Sequence, residues 1–574
     1  MSAAASPLVV GVTSHRNLAA GEIDGLRQRV QDFFAQLQQD FPGLPLVVLS
    51  PLAEGGDQLV AREGLAAGAR LIAPLPFARA LYEQDFSDPA TRARFDSLRA
   101  QAEVIELPLL PGNTPADIAV RGAARNRQYA QAGVFTASHC HILLAIWDGR
   151  RSDALGGTAQ IVRFHMDSIP PGTADRRHAR HVTLDTGDES LLYHIACSRD
   201  QGAGAITPPE APLQPLQARW ITDRGASAGD AGMPPDFRRM FRRMQQFNDD
   251  TVRHADDIEP DAAQHGGGAT GVGGCPPAAA LFAAADGLAI HCQKQVLLAM
   301  RCLYTLAVLM GIAFVCYSDL PGWLPGQDDS IYVFVVLFAV GAWLAWLARR
   351  REWHRKYIDY RALAEGLRVQ GYWQRAGVGA HESGAFAHGD FMQKQDVELG
   401  WIRNVMRAAA IHVTSGTSPD DIAKVIAEWI GEPEGDGQLG YYARKAEQRR
   451  HVHERYEGVA RILLLAAVAA SLFLALFHHW VGPNTTTWLV ALMGILAVIA
   501  AARESYAFRK ADKELINQYR YMRGIFASAR RQLDATHDPD ARRGILHALG
   551  EAALAEHAQW ALMHRQRPLE AGKM

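Results

Sequence analysis

Two stretches of unbroken apolar sequence, residues 302–318 and 330–348, constrain this chain more than anything else in it. Neither carries a formal charge. With the apolar residues just before Arg301, each is long enough to cross a hydrocarbon core about 30 Å thick as an α-helix. The connection between them holds Asp319, Pro321, Gly322, Pro325 and Gly326 and cannot continue a helix. The second run leaves through Arg349, Arg350, Arg351, Arg355 and Lys356. This pattern predicts a helical hairpin with its basic end in the cytoplasm and its short acidic loop outside. A hairpin buried in a large soluble core is the alternative. The arginine cluster and the tryptophans near both ends fit an interface better.

The arrangement recurs. Residues 462–502 contain no Asp, Glu, Lys or Arg, and residues 478–484, with Gly482 and Pro483, read as a turn. Each hairpin continues into a charged helix with a Tyr-Arg pair, Tyr360-Arg361 in the first and Tyr519-Arg520 in the second. An internal repeat of this kind implies two copies of one fold. Four spans place both termini on one side, expected to be the cytosol. Between the copies, residues 428–440 read as a Gly- and acid-rich loop.

Overall the 574 residues are nearly neutral, with Lys+Arg 59 against Asp+Glu 61, so no nucleic-acid partner is expected. The six cysteines show no CxxC and no disulfide-like spacing, which suits a reducing compartment. Strand-like sequence begins at Leu8 with no signal peptide before it, so the N-terminal half is expected in the cytosol.

From Leu8 to about Cys197, short apolar runs alternate with helical stretches. Strands are expected at 8–12, 46–49, 70–74, 103–107 and 141–147, with a last one at 191–196. Helices are expected at 22–40, 57–67, 115–138 and 159–164. Strands apolar on both faces, separated by helices, predict a parallel sheet with helices on both sides. Residues 170–188 read as an insertion and 200–235 as a loop or linker. Residues 236–254 place Phe237, Met240, Phe241, Met244 and Phe247 at helical spacing, with Arg238, Arg239, Arg242 and Arg243 off that face. Such a helix can lie on an anionic membrane surface or pack on the first domain or a neighbouring subunit. Residues 265–277 read as a low-complexity hinge.

Three glycine-containing loops follow expected strands. The first holds Gly11, Thr13, Ser14, His15 and Arg16, and the second Glu54, Gly55, Gly56 and Asp57. The third holds Asp148 and Gly149, then Gly156, Gly157 and Thr158 opening a helix. In a doubly wound sheet, ligands bind outside the carboxyl ends of the strands, where all three loops lie. Gly156 and Gly157 allow close backbone approach, and a helix N-terminus at Thr158 favours an anion. Arg16, with Arg125 and Arg127 in the preceding helix, could neutralise a phosphate. Glu54 or Asp57 could accept hydrogen bonds from a ribose or a base. The expected ligand is a nucleotide or nucleotide-derived small molecule, with no metal or other cofactor. His139, Cys140 and His141 look metal-like but sit at a strand start without a fourth ligand, which favours core packing.

These motifs resemble the SLOG domain, a Rossmann-like family of nucleotide sensors and processors. The hairpins with their Tyr-Arg helices resemble the SLATT family of two-transmembrane effectors. The fold expected is therefore an α/β Rossmann-like N-terminal domain, plus an α-helical membrane region with four transmembrane helices in two hairpins. The expected divisions are 1–200 for the nucleotide-binding domain, 201–290 for a linker, and 291–430 and 431–574 for the two hairpin modules. The resemblance implies signal transduction, in which nucleotide sensing gates a pore-forming or membrane-disrupting effector in bacterial conflict or antiviral defence. It also implies a homo-oligomer in the inner membrane. Phosphoribohydrolases of the family follow their Gly-rich loop closely with glutamate, whereas here Gln160 follows and the next acid is Asp167. Binding without turnover is therefore expected, with a membrane-anchored nucleotide hydrolase as the alternative.

Overall fold

The computed structural model describes residues 5–86, 88–169, 171–172, 190–202, 205–223, 225–226, 232–256, 278–319, 326–378, 391–392, 397–411, 419–477, 479–510 and 512–566. The chain forms two compact units, one of residues 1–288 and 362–418, the other of residues 289–361 and 419–574. Residues 362–418, expected to belong with the first hairpin, thus cluster with the N-terminal sheet. The hinge at 265–277 and nearly all of the insertion at 170–188 lie outside the described residues.

The first unit is built on a mostly parallel sheet. Its parallel strands are β1 (Leu8–Ser14), β2 (Leu46–Leu49), β3 (Arg70–Leu75), β4 (Ala102–Glu106), β5 (Ile142–Trp147) and β6 (Leu192–Ala196). They lie side by side in the order β6-β5-β1-β2-β3-β4. The intervening helices are α1 (Ile23–Asp40), α2 (Gly56–Ala66), α3 (Arg79–Tyr82), α4 (Pro89–Ala100), α5 (Pro115–Ala119), α6 (Ala123–His139) and α7 (Thr158–Asp167). α2 packs against both α1 and α4, α6 packs against α7, and both groups touch β1. Parallel strands buried on both faces need this double cover, and the near-continuous apolar runs of β1, β2 and β5 are its signature in sequence. β1 shows the alternation: Val9 joins a cluster with Phe135 and Cys140, whereas Ser14 meets Gly56 of α2.

Three expectations are corrected. β6 is not the last strand, and 200–235 is not simply a linker. β7 (Arg199–Asp200) and β8 (Ile206–Thr207) form a small antiparallel pair. β9 (Ala218–Thr222) adds antiparallel to β6, followed by β10 (Gly225–Ala226), which brings the main sheet to eight strands. Trp220 of β9 packs its ring 4.7 Å from Tyr193 and 6.0 Å from Phe33. The helix expected over 115–138 is two, because the chain turns extended at Val120 and Gly122.

The basic amphipathic helix is α8 (Pro235–Arg253), and its apolar residues Phe237, Met240, Phe241, Met244 and Phe247 are buried. Phe241 meets Phe41 edge-on at 5.5 Å, and the Asn248 amide binds the backbone N–H and carbonyl of Ser6. Of the two readings for this helix, the observed one is packing within the first unit. Each apolar side chain removed from water there is worth about 1.5–3 kcal/mol.

The second unit is helical. α9 (Ala278–Asp319), which begins in the first unit, α10 (Ser330–Arg350), α14 (Gln438–Phe477) and α15 (Pro483–Lys510) contain the four segments long and apolar enough to cross a membrane. Tyr332, Val336, Phe338, Trp343, Ile462 and Leu465 lie exposed on them, as lipid-facing residues must. Where α9 meets α15, Gly311 faces Val498 and Gly494 faces Val315; small residues allow such close approach of spans. Each hairpin runs into a long helix, α11 (Trp353–Ala376) or α16 (Asp512–Ala535). Between the copies lie α12 (Gly400–Ala409) of the first unit and α13 (Pro419–Val425). The expected loop at 428–440 is shorter than its composition suggests, because a π-helical turn continues to Ile430 and α14 opens at Gln438. The last helix is α17 (Pro539–Arg565).

Candidate functional site

The strand order reverses between β1 and β5, which makes their carboxyl ends the switch point of the sheet. Three of the loops singled out by sequence leave from here or from neighbouring β2. Ser14 Oγ donates to Asp57 Oδ1 at 2.6 Å, tying the end of β1 to the first turn of α2. The Gly56 N–H donates to the His15 carbonyl at 3.3 Å. Gly55 has φ +89°, and a Cβ there would collide with the backbone carbonyl of Arg16. Glycine is required at this position both for its conformation and for the close approach.

On the other side of β1, His15 Nε2 lies 3.0 Å from Asp148 Oδ1, and Arg199 Nη1 lies 3.7 Å from Asp148 Oδ2. Burial opposes ionisation of Asp148, yet His15, the Arg150 N–H and Arg199 together hold its carboxyl below the usual carboxylate range. The chain after β1 is stitched to the chain after β6, with Ala19 N–H donating to the Ser198 carbonyl and Asp200 N–H to the Asn17 carbonyl. Asp148 is therefore an anchor beneath this covering segment.

Asp57 behaves differently. Burial pushes its carboxyl up to about 7, against the pull of the Ser14 hydroxyl and the Arg16 charge. A carboxylic acid holding its proton near neutrality can donate as well as accept. Arg16 itself is exposed and lies over the Tyr129 ring, 5.6 Å from its centroid. Glu54 is half-buried and accepts from the Thr91 hydroxyl at 3.3 Å. A cleft of about 700 Å³ opens beside Arg16, Glu54 and Gly55.

The structure thus brings together Ser14, His15, Arg16, Gly55, Gly56, Asp57 and Asp148, with Glu54 at their edge. The remaining candidates have packing roles in the fold. Gly11 is inside β1, where a Cβ would press on Cys140 at 2.8 Å, and Thr13 is buried within the same strand. Gly149, with φ +82°, packs beneath Leu213. Gly156, with φ +76°, packs against the α6 backbone at Ala130, and Gly157 caps α7 ahead of buried Thr158.

Arg125 is corrected as a phosphate neutraliser. It is buried, donates to the carbonyls of Ile118 and Leu81, pairs with Asp85 and stacks over Phe77. His139 and His141 are core residues. His139 Nδ1 bonds the Phe135 carbonyl, while His141 accepts from Val9 N–H and bonds the Asn404 carbonyl at 2.7 Å. Sequence reasoning missed Tyr129 under Arg16, Arg199 beside Asp148 and Tyr82, whose hydroxyl donates to the Pro51 carbonyl in the loop after β2; all three come from distant elements and carry no local motif. No family model, curated protein or solved structure matches this chain.

Proposed function

We propose that the chain is a membrane-embedded sensor in which a nucleotide-type small molecule, bound at the carboxyl end of the sheet, controls the packing of the two hairpins. The observation that carries this reading is the junction of Ser14, Arg16, Gly55 and Asp57 at the switch point. There the exposed Arg16 guanidinium and the half-buried Glu54 carboxylate line an open cleft, and the Ser14–Asp57 pair braces the loops that carry them. An arginine beside close-approaching backbone suits a phosphate, and carboxyl groups suit sugar or base donors.

Two of the chain's three passages between the units lie inside α9 and inside α11. Helices common to both are the elements through which a ligand would bias the spans. The output would be leakage through, or disruption of, a bacterial inner membrane, as the SLOG and SLATT resemblances imply. The basic exits after Ala348 and Ala502 support a cytosolic position for the termini and for the sheet. The exposed apolar spans support assembly with lipid and with further copies of the chain. Binding without turnover is supported by Gln160, where the resembled phosphoribohydrolases carry glutamate, and by Asp57, which is buried against Ser14.

Mass spectrometry of small molecules released from the purified full chain tests the reading. The expected result is a co-purifying nucleotide whose occupancy falls at least fivefold in Arg16→Gln. Equal nucleotide occupancy in that variant would place the site elsewhere.

A further inference from the structure

The cleft beside Arg16 runs along α2, with α1 and α4 on either side. Four guanidiniums line it, those of Arg16, Arg27, Arg62 and Arg94, against one carboxylate, Glu54. They come from the loop after β1 and from three separate helices, so no local repeat gathers them. Two are already held in place. Glu63, only 6% exposed in its side chain, lies 2.7 Å from Arg62 and 3.6 Å from Arg27, and its other oxygen accepts from Gln31. The other two have neutral neighbours. Arg94 donates to the Thr91 hydroxyl at 2.7 Å, and Arg16 lies over Tyr129. Among the described residues, neither has a carboxylate within 4.0 Å.

Like charges gathered in one concavity repel one another and raise the local concentration of anions. Guanidinium forks match phosphate oxygens in pairs. Glu54 sits beside Gly55 at the Arg16 end of the cleft, where its carboxylate can accept from hydroxyls. The lining therefore has two chemistries, cationic along α2 and hydroxyl-accepting at its N-terminal end. Its volume is that of an ordinary small-molecule site.

We infer that this cleft binds a nucleoside polyphosphate, with its first phosphate on Arg16, the outer phosphates on Arg27, Arg62 and Arg94 and the sugar hydroxyls on Glu54. The sugar half rests on the nucleotide reading proposed above; the phosphate half stands without it.

Calorimetric titration of the full chain in detergent with ATP, AMP and inorganic tripolyphosphate tests both halves. In Arg62→Gln/Arg94→Gln, Kd for ATP and for tripolyphosphate should rise at least tenfold, while AMP changes less than twofold. Arg27 and Gln31 still hold Glu63 in this variant, so a retained cooperative unfolding transition and far-UV dichroism like the parent's separate lost binding from lost fold. Glu54→Gln should weaken ATP at least fivefold and leave tripolyphosphate bound at least as tightly as in the parent. Tripolyphosphate that binds the double variant as tightly as the parent, or fails to bind the parent, overturns the cleft assignment. Tripolyphosphate binding with no binding of either nucleotide overturns the nucleotide reading and the role given to Glu54.

Discussion

The Ser14 hydroxyl and the buried Asp57 carboxyl meet at 2.6 Å between β1 and α2. Burial raises the Asp57 carboxyl from 3.8 to about 7, so the folded chain retains a proton that the unfolded chain has released. Stability from this proton is complete below about pH 4 and is lost as pH rises through about 7.

Asp57→Asn removes that dependence while keeping an acceptor for Ser14. At pH 8 the variant should resist opening of β1 and α2 better than the parent. The difference is bounded at roughly 4 kcal/mol, since each tenfold change in proton affinity is worth about 1.4 kcal/mol. Amide exchange of those segments at pH 5 and pH 8 measures it, and the advantage should shrink toward acid. An advantage that grows toward acid would show that Asp57 is ionised in the folded chain.

The buried histidines of the first unit titrate with the opposite sign. Burial lowers His139, His165 and His194 from 6.5 to about 4 and His141 to about 3. Neutral in the folded chain and cationic when unfolded, they contribute stability above pH 6.5 that is lost as pH falls toward 4. Four such groups outweigh the single Asp57, so protection of β1 and β5 amides should fall between pH 6.5 and pH 4.5. Unchanged or rising protection over that interval would contradict the burial.

Gly311 of α9 and Gly494 of α15 mark a close helix crossing, with Tyr304 and Tyr506 edge-on at 5.4 Å further along it. Cysteines replacing Gly311 and Val498, where a Cβ on residue 311 would lie 3.2 Å from Cβ of residue 498, should form a disulfide in membranes in a chain without its native cysteines. Gly494→Leu should reduce that yield severalfold, because its side chain occupies the space of Val315. Equal yields would show that the spans cross elsewhere.

Asp359 of α11 is 2% exposed and pairs with Arg355 at 2.8 Å and with Arg565 at the end of α17. Asp359→Ala leaves two guanidiniums without this partner. Their exposures of 22% and 25% let water recover part of the loss, so the cost should be about 2–3 kcal/mol. Faster amide exchange confined to the last turns of α17 is the expected readout. Exchange equal to the parent's would make the clamp energetically idle.

Elements whose periodicity is dictated by burial were legible in the sequence. β2 spans the expected residues 46–49, and the four apolar runs lie within helices. β9 was hidden because a short antiparallel strand next to the sheet edge alternates weakly, and Pro- and Gly-rich chain surrounds Trp220. The break at Gly122 was hidden because the flanking residues are good helix formers. Within the candidate site, the loops after β1 and β2 were found through their glycines. Arg62 and Arg94 were not, because an exposed arginine on a helix acquires meaning only from what the fold places opposite it.

The most direct test of the account is dye release from liposomes carrying the full chain, measured with and without a panel of ribonucleoside mono-, di- and triphosphates. At least one nucleotide should change the release rate severalfold, and Arg16→Gln, reconstituted at the same density, should lose that response. A release rate indifferent to every nucleotide, or an Arg16→Gln response equal to the parent's, would contradict it.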